Sequence, residues 1–262
     1  MAITNPSFII LDSVDSTNNY AMANVHAGLA KQGDAYFALQ QTGGKGQRGK
    51  NWHTGNGKNI ALSIIAEPAG LTVAEQFKLS ASVALACFDF FSTYAGDETS
   101  IKWPNDIYWR DRKAGGVLIE NIIGPAILQK SNAEKLNEVT GNQWKYAVLG
   151  IGININETVF DTSLKNVVSL KQITGKKFDV IALAKELHKK VLKRIGEINT
   201  LPFEKILQQY NAHLFKINSI ARLKKGKVIF DTMIKGVTEK GQLYTVDTID
   251  NFFDFGEVEW VI

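Results

Sequence analysis

Apolar and polar residues recur along this chain with two periods, near two and near three and a half residues, and the changes between them predict its elements. A short apolar run at Phe8 to Leu11 reads as a strand, and Asp15-Ser16-Thr17-Asn18 as an N-cap cluster opening a helix through Ala23. Asp34 to Gln41 reads as a strand that delivers a glycine-rich loop, and Asn59 to Ala66 as its return. Thr72 and Glu75 stand three apart as a capping box, heading a helix with apolar positions at Phe77, Ala81, Leu85, Phe88 and Phe91 and ending at Gly96. Ser100 to Trp109 reads as two strand halves broken by a turn at Pro104-Asn105, followed by a turn at Arg110-Asp111-Arg112. Lys113-Ala114-Gly115-Gly116 then leads into an apolar strand over Val117 to Ile123. The polar segment from Pro125 to Asn142 reads as an insertion before a strand at Trp144 to Ile155. Amphipathic helices are predicted over 179–195, capped by Asp179, and over Leu201 to Leu214. From about Asn218 the period changes to two, in short strands separated by Lys-Gly turns, a run of the right size for a small β-barrel.

The 262 residues suit one large domain, or a large and a small one, and the 45% apolar content is enough for a substantial core. A net charge of +4 fits an anionic small molecule, an acidic partner or nucleic acid equally, because the cations are scattered rather than gathered in one run. Cys87 is the sole cysteine and lies among apolar residues, so internal disulfides are excluded and a reducing cytoplasm is expected. No stretch approaches the length of a membrane span, and the N-terminus lacks the features of a signal peptide. The room before Asp15 is too small for a three-helix DNA-binding module, so DNA binding is not expected.

The segment Gly43-Gly44-Lys45-Gly46-Gln47-Arg48-Gly49-Lys50-Asn51-Trp52 carries the first chemical signal. Gly44, Gly49 and Lys50 have the spacing of a phosphate-binding P-loop, but Asn51 stands where Ser or Thr must reach Mg²⁺. Turn residues follow where a helix should begin, so this is a strand-loop-strand element. Taken alone it is a solvated basic hairpin. Each of the other clusters also has a plain reading: Asp15 to Asn18 as a cap, Pro104-Asn105-Asp106 as a turn beside Lys102, and Lys113 to Gly116 as a loop.

In combination these clusters resemble the biotin protein ligases, from about Asp15 to Asn154 and more faintly through the C-terminal strands. The family's Gly-Arg-Gly-Arg-x-Gly loop is matched by Gly44 to Gly49, with Gln41 before it and Trp52 after it. Lys102-Trp103-Pro104-Asn105-Asp106, Lys113-Ala114-Gly115-Gly116 and Gly150-Ile151-Gly152-Ile153-Asn154 match three further signatures. The resemblance implies an α+β fold: a mixed, mainly antiparallel sheet with helices packed on one side over residues 1–216, then a small SH3-like barrel over 217–262. It implies a ligase that joins biotin to AMP, using ATP with Mg²⁺, and passes the biotinyl group to a lysine of a biotin carboxyl carrier domain.

By the same resemblance Ser16, Thr17, Gln41, Gly44, Lys45, Lys113 and Gly116 serve biotin, and Lys45, Gln47, Arg48, Lys50, Trp52, Asn105 and Asn154 serve the nucleotide. Lys113, Arg48, Lys102 and Asp106 are the catalytic candidates. Trp52 either stacks on adenine or packs in the core, and Asp106 either holds Mg²⁺ or takes a proton from the acceptor lysine. The glycine loop is expected to order over its ligands as a lid.

Two arginines of the family pattern are replaced here by Lys45 and Gln47. The first keeps charge without the guanidinium fork, and the second loses charge. A homodimer through sheet edges is compatible with the fold. Two other functions compete: a lipoate or octanoate ligase or transferase of related fold, and a basic nucleic-acid-binding module without catalysis. A relative that binds ligand without turning it over is a third.

Overall fold

The computed structural model describes residues 6–52, 55–68, 70–125 and 142–261. The predicted insertion between Pro125 and Asn142 falls almost wholly outside them. The chain forms β1 (Phe8–Val14), α1 (Thr17–His26), β2 (Ala35–Gln41), β3 (Ile60–Ala66), α2 (Gln76–Ala95), β4 (Thr99–Lys102), β5 (Asp106–Trp109), β6 (Arg112–Pro125) and β7 (Asn142–Ile153). After these come α3 (Leu170–Thr174), α4 (Val180–Glu197), α5 (Phe203–Ala212), β8 (Ile220–Lys225), β9 (Val228–Val237), β10 (Leu243–Val246), β11 (Asp250–Phe253) and β12 (Glu259–Trp260).

The first seven strands make one sheet in the order β1-β2-β3-β7-β6-β5-β4. Only β1 and β2 run parallel; the other neighbours are antiparallel. Apolar residues of α2 and α4 cover one face of this sheet, in one core with Phe37, Ile60, Leu62, Ile64, Leu149 and Ile151, and α5 packs against α2 and β9. The opposite parity, Tyr36, Ile65 and Val148, packs with Ala21 of α1 in a separate small core. The expectation of helices on one side is therefore corrected: α1 lies on the other face. The physical reason is visible in β3, whose seven residues are all buried, as they must be when both faces of a strand are covered.

The capping box of Thr72 and Glu75 is present, although it heads a 3₁₀ turn over Val73–Glu75 before α2 begins. Lys113 to Gly116, whose plain reading was a loop, belong to β6. A register shift between Ile107 and Tyr108 sets their pairing, with Lys113 opposite Tyr108 and Gly116 opposite Asp106. The short helix α3 is capped by Ser169, which accepts from the Gln172 amide at 3.2 Å.

The last five strands form a second, antiparallel sheet in the order β11-β10-β9-β8-β12. Its Leu223, Ile234, Val237, Leu243 and Phe253 belong to the same apolar core as the helices. Trp103 Nε1 donates to Gly241 O at 2.9 Å, and Asn211 exchanges two hydrogen bonds with the Val237 backbone at 2.8 and 3.0 Å. Among the described residues no helix is long and apolar enough to cross a membrane.

Candidate active site

A cavity of about 740 Å³ lies where β6 and β7 meet α1, the glycine loop and the C-terminal sheet. One end is polar and almost closed to solvent. Ser16, at the N-cap of α1, makes no side-chain capping bond, so the cluster is not explained as a helix cap alone. Ser16, Thr17 and Asn18 are all buried, as is Ser63 beneath them. Ser63 Oγ lies 2.8 Å from Thr17 Oγ1 and 2.6 Å from Asn18 Oδ1. Thr17 Oγ1 lies 3.0 Å from Gln41 Oε1, which also accepts from the Thr17 amide at 2.8 Å. Two hydroxyl hydrogens have to serve three oxygen–oxygen contacts, so one contact always lacks its hydrogen. An incoming N–H donor relieves that deficit. A ligand end without polar hydrogens does not.

The glycine loop covers the middle of the cavity. It is tied at its base by Gly43 N to Asp15 O at 2.7 Å and closed on itself by Gly46 N to Lys50 O at 2.6 Å and Trp52 N to Gly44 O at 2.8 Å. Arg48 takes a left-handed backbone, φ 56°, and its guanidinium lies over Gly256, in the turn between β11 and β12. Gln47 Nε2 donates to Asn105 Oδ1 at 2.6 Å and to Val117 O at 2.9 Å, fastening the loop to β6. Trp52 lies flat against the Gly152 backbone, where any Cβ would enter its ring. Its indole is half-buried and faces the cavity, so Trp52 is part of the wall rather than the core.

Cations gather at the other end. Lys113 Nζ meets Asp106 Oδ1 at 2.7 Å, across the β5–β6 pair that also aligns Asp106 with Gly116. Lys102 Nζ lies 4.8 Å from the Tyr108 ring centroid and 5.8 Å from that of Trp260, and donates to Tyr108 Oη at 3.1 Å. Burial pulls the Lys102 ammonium down to about 8; Asp106 works against that shift, while Lys113 and Lys50 add to it. Burial likewise raises the Tyr108 hydroxyl, which stays neutral.

Lys102 is protonated below that value and attracts phosphate there. For ATP, the nucleotide that the resemblance implies, kcat/KM is therefore expected to hold up to about pH 8 and to fall above it, roughly tenfold per unit. Lys102→Arg, with a guanidinium that does not titrate in this range, should move that limb above pH 10. Initial rates across pH 6–10 check both expectations.

Of the residues proposed from sequence, Ser16, Thr17, Gln41, Lys45, Gln47, Arg48, Lys50, Trp52, Lys102, Asp106, Lys113, Gly116 and Asn154 all line this one cavity. Gly44 and Asn105 do not. Gly44 is pressed between the Trp52 carbonyl and the Gln41 amide, and Asn105 sits behind the loop, 3.4 Å from Ser80 Oγ. Asn154 Nδ2 donates to Val168 O at 3.2 Å, which steadies the segment that follows β7.

Sequence reasoning missed other lining residues: Asn18, Phe160 and Lys165 after β7, and Phe255, Glu259 and Trp260 of the last strands. Asn18 was within reach, adjoining Ser16 and Thr17 in a cluster already singled out. The rest arrive by tertiary contact and carry no local signal.

Among the described residues no three His, Cys, Asp or Glu side chains converge in a way that could hold a metal ion.

Residues 10–133 match the biotin/lipoate A/B protein ligase family. Over 240 residues, 90% of this chain, there is 27% identity to the bifunctional ligase/repressor BirA of Bacillus spizizenii, and this chain covers 68% of that protein. Identity is 35% over 115 residues to the biotin–[acetyl-CoA-carboxylase] ligase of Paracoccus denitrificans, a match covering 43% of this chain and 46% of that one. The fold is similar to a biotin protein ligase from Aquifex aeolicus solved in complex with biotin and ATP, with a TM-score of 0.77 at 22% identity over 97% of this chain and 98% of the other. Sequence signatures that lie far apart in the chain converge on one cavity, and they fall largely within residues 10–133, the segment that is similar to the biotin/lipoate A/B protein ligase family.

Proposed function

We propose that the protein is an ATP-dependent biotin protein ligase. The observation that carries this reading is the single cavity with a hydrogen-poor polar shelf at its closed end and three converging charges, Lys102, Lys113 and Asp106, at the other. Biotin is built the same way. Its ureido head offers two N–H donors and a carbonyl, and its carboxylate stands at the far end of an apolar tail.

In the first step a carboxylate oxygen of biotin bonds to the α-phosphorus of ATP, and the bond to the β-phosphate oxygen breaks to release pyrophosphate. Negative charge accumulates on the α-phosphoryl oxygens, and fixed cations aimed there lower the barrier. We assign this role to Lys113, held by Asp106, with Lys102 near it and Arg48 lining the same cavity. A magnesium ion bound to the triphosphate would supply further positive charge for the leaving pyrophosphate, with Asp106 the carboxylate that would hold it. In the second step an acceptor lysine, having lost a proton, attacks the acyl carbon and AMP leaves.

The shelf also separates biotin from lipoate. A dithiolane or alkyl chain leaves the one hydrogen-deficient contact among the Gln41, Thr17, Ser63 and Asn18 oxygens unrelieved in a buried place, which a binding site penalises strongly. The cations of the loop and of β4–β6 point into a pocket rather than along a groove, which favours a small anionic ligand over nucleic acid.

We read residues 217–262 as a small SH3-like barrel following a catalytic unit of residues 1–216, positioned to receive the nucleotide or the acceptor domain. The acceptor is a biotin carboxyl carrier domain, and the compartment the cytoplasm. The test is incubation with biotin, MgATP and such a carrier domain, followed by mass spectrometry. A gain of one biotinyl group on one carrier lysine is expected. An unmodified carrier, with an active ligase as positive control, overturns the reading.

A further inference from the structure

The geometry points to Glu120 as a positioning residue that fixes the polar shelf and latches the glycine loop with the same carboxylate. Glu120 lies on β6 and belongs to neither the shelf nor the cation cluster. Its Oε2 accepts from Asn18 Nδ2 at 2.7 Å, and its Oε1 lies 3.5 Å from Lys45 Nζ. A carboxylate only accepts, so it selects one of the two orientations of the Asn18 amide. The amide nitrogen turns to Glu120, and Asn18 Oδ1 turns to Ser63 Oγ at 2.6 Å. The fit around Asn18 is tight, because a side chain at residue 150 would collide with its amide, and Gly150 leaves the space open.

Without the carboxylate, Asn18 is free to present NH₂ instead of oxygen to the shelf. The shelf then loses the acceptor that an N–H donor of the substrate requires. The other oxygen holds Lys45, four residues beyond Gln41. Contacts therefore run from Gln41 through Thr17, Ser63, Asn18 and Glu120 back to the loop at Lys45, and one side chain serves both the substrate end and the cover.

The shelf half of this inference rests on the biotin reading, and the latch half does not. The experiment therefore has two arms and two variants. Glu120→Gln can still offer its carbonyl to Asn18 but carries no charge for Lys45, whereas Glu120→Ala does neither. In ligand-free protein, trypsin cleavage between Lys45 and Lys50 should be about two- to fivefold faster in both variants, the scale of one half-exposed ion pair acting on local opening. In biotin-dependent pyrophosphate exchange, the biotin KM should rise at least about tenfold in E120A and less than about threefold in E120Q, with kcat changed less than KM in both.

Wild-type cleavage rates in E120Q overturn the latch. An unchanged biotin KM in E120A, or an equal rise in both variants, overturns the positioning role. Wild-type protein that shows no exchange with biotin overturns the biotin reading and the shelf half with it, while the trypsin arm still decides the latch. Matched melting temperatures exclude misfolding as the cause of any change.

Discussion

Replacing Lys113 with methionine is expected to lower biotin-dependent adenylation by about a hundred- to a thousandfold, with little change in melting temperature. Methionine keeps an unbranched stem of similar bulk and removes the ammonium. The strand does not depend on that ammonium. The Lys113 amide donates to Asn166 O at 2.6 Å and its carbonyl accepts from Val168 N at 2.9 Å, so the backbone bonds survive the change. What is lost is the cation held 2.7 Å from Asp106 at the charged end of the cavity. Losing one such preorganised donor from an acyl- or phosphoryl-transfer site typically reduces kcat by that factor. Asp106, left unpaired, is partly exposed and remains solvated, which is why the fold tolerates the change. Pyrophosphate exchange with saturating biotin reads the effect, and a rate within about threefold of wild type would remove Lys113 from the mechanism.

Gly152→Val should abolish productive nucleotide binding, raising the ATP KM about a hundredfold or more. Gly152 pairs with Ala61 on one side and Gly116 on the other, in the middle of a sheet where valine is otherwise a favourable residue. The obstacle is Trp52, whose ring occupies the space a Cβ needs. Trp52 must then swing away and take the loop with it, because its amide is bonded to Gly44 O at 2.8 Å. The lid opens and its cations leave the phosphates. In a Trp52→Ala background the clash is gone, so adding Gly152→Val should cost less than about threefold. A full loss in both backgrounds would place the effect in the sheet instead of the lid.

The parts of this site that were legible in the sequence share a physical property: each signal is local. Thr72 and Glu75 announced a helix start because a capping box is complete within four residues. The β3 run announced a strand because its residues are apolar but for Ser63, whereas cover on both of its faces, which α1 supplies on one, was not read from it. Ser169 and Gln172 carried an equally local signal for α3 that the reading of the chain did not use.

Lys113 and Gly116 were identified by type and spacing, yet their place in a strand depended on a register shift in β5 that no residue pattern marks. Trp260 and Phe255 were legible only as strand and turn residues. Their presence beside Lys102 and Trp103 comes from the docking of the second sheet, through Trp103 to Gly241 and Phe215 to Trp260. Glu120 was read as part of an apolar strand, and only the packing of α1 on the other face brings Asn18 to it.

The function proposed for this cavity is the activation of biotin with ATP. The most direct measurement is ATP–pyrophosphate exchange by purified protein with MgATP, comparing biotin, lipoate, octanoate and no acid. The polar shelf predicts exchange with biotin at least about a hundredfold above either other acid, because only biotin brings N–H donors to its buried oxygens. Exchange driven equally well by lipoate or octanoate, or no exchange with biotin, would contradict it.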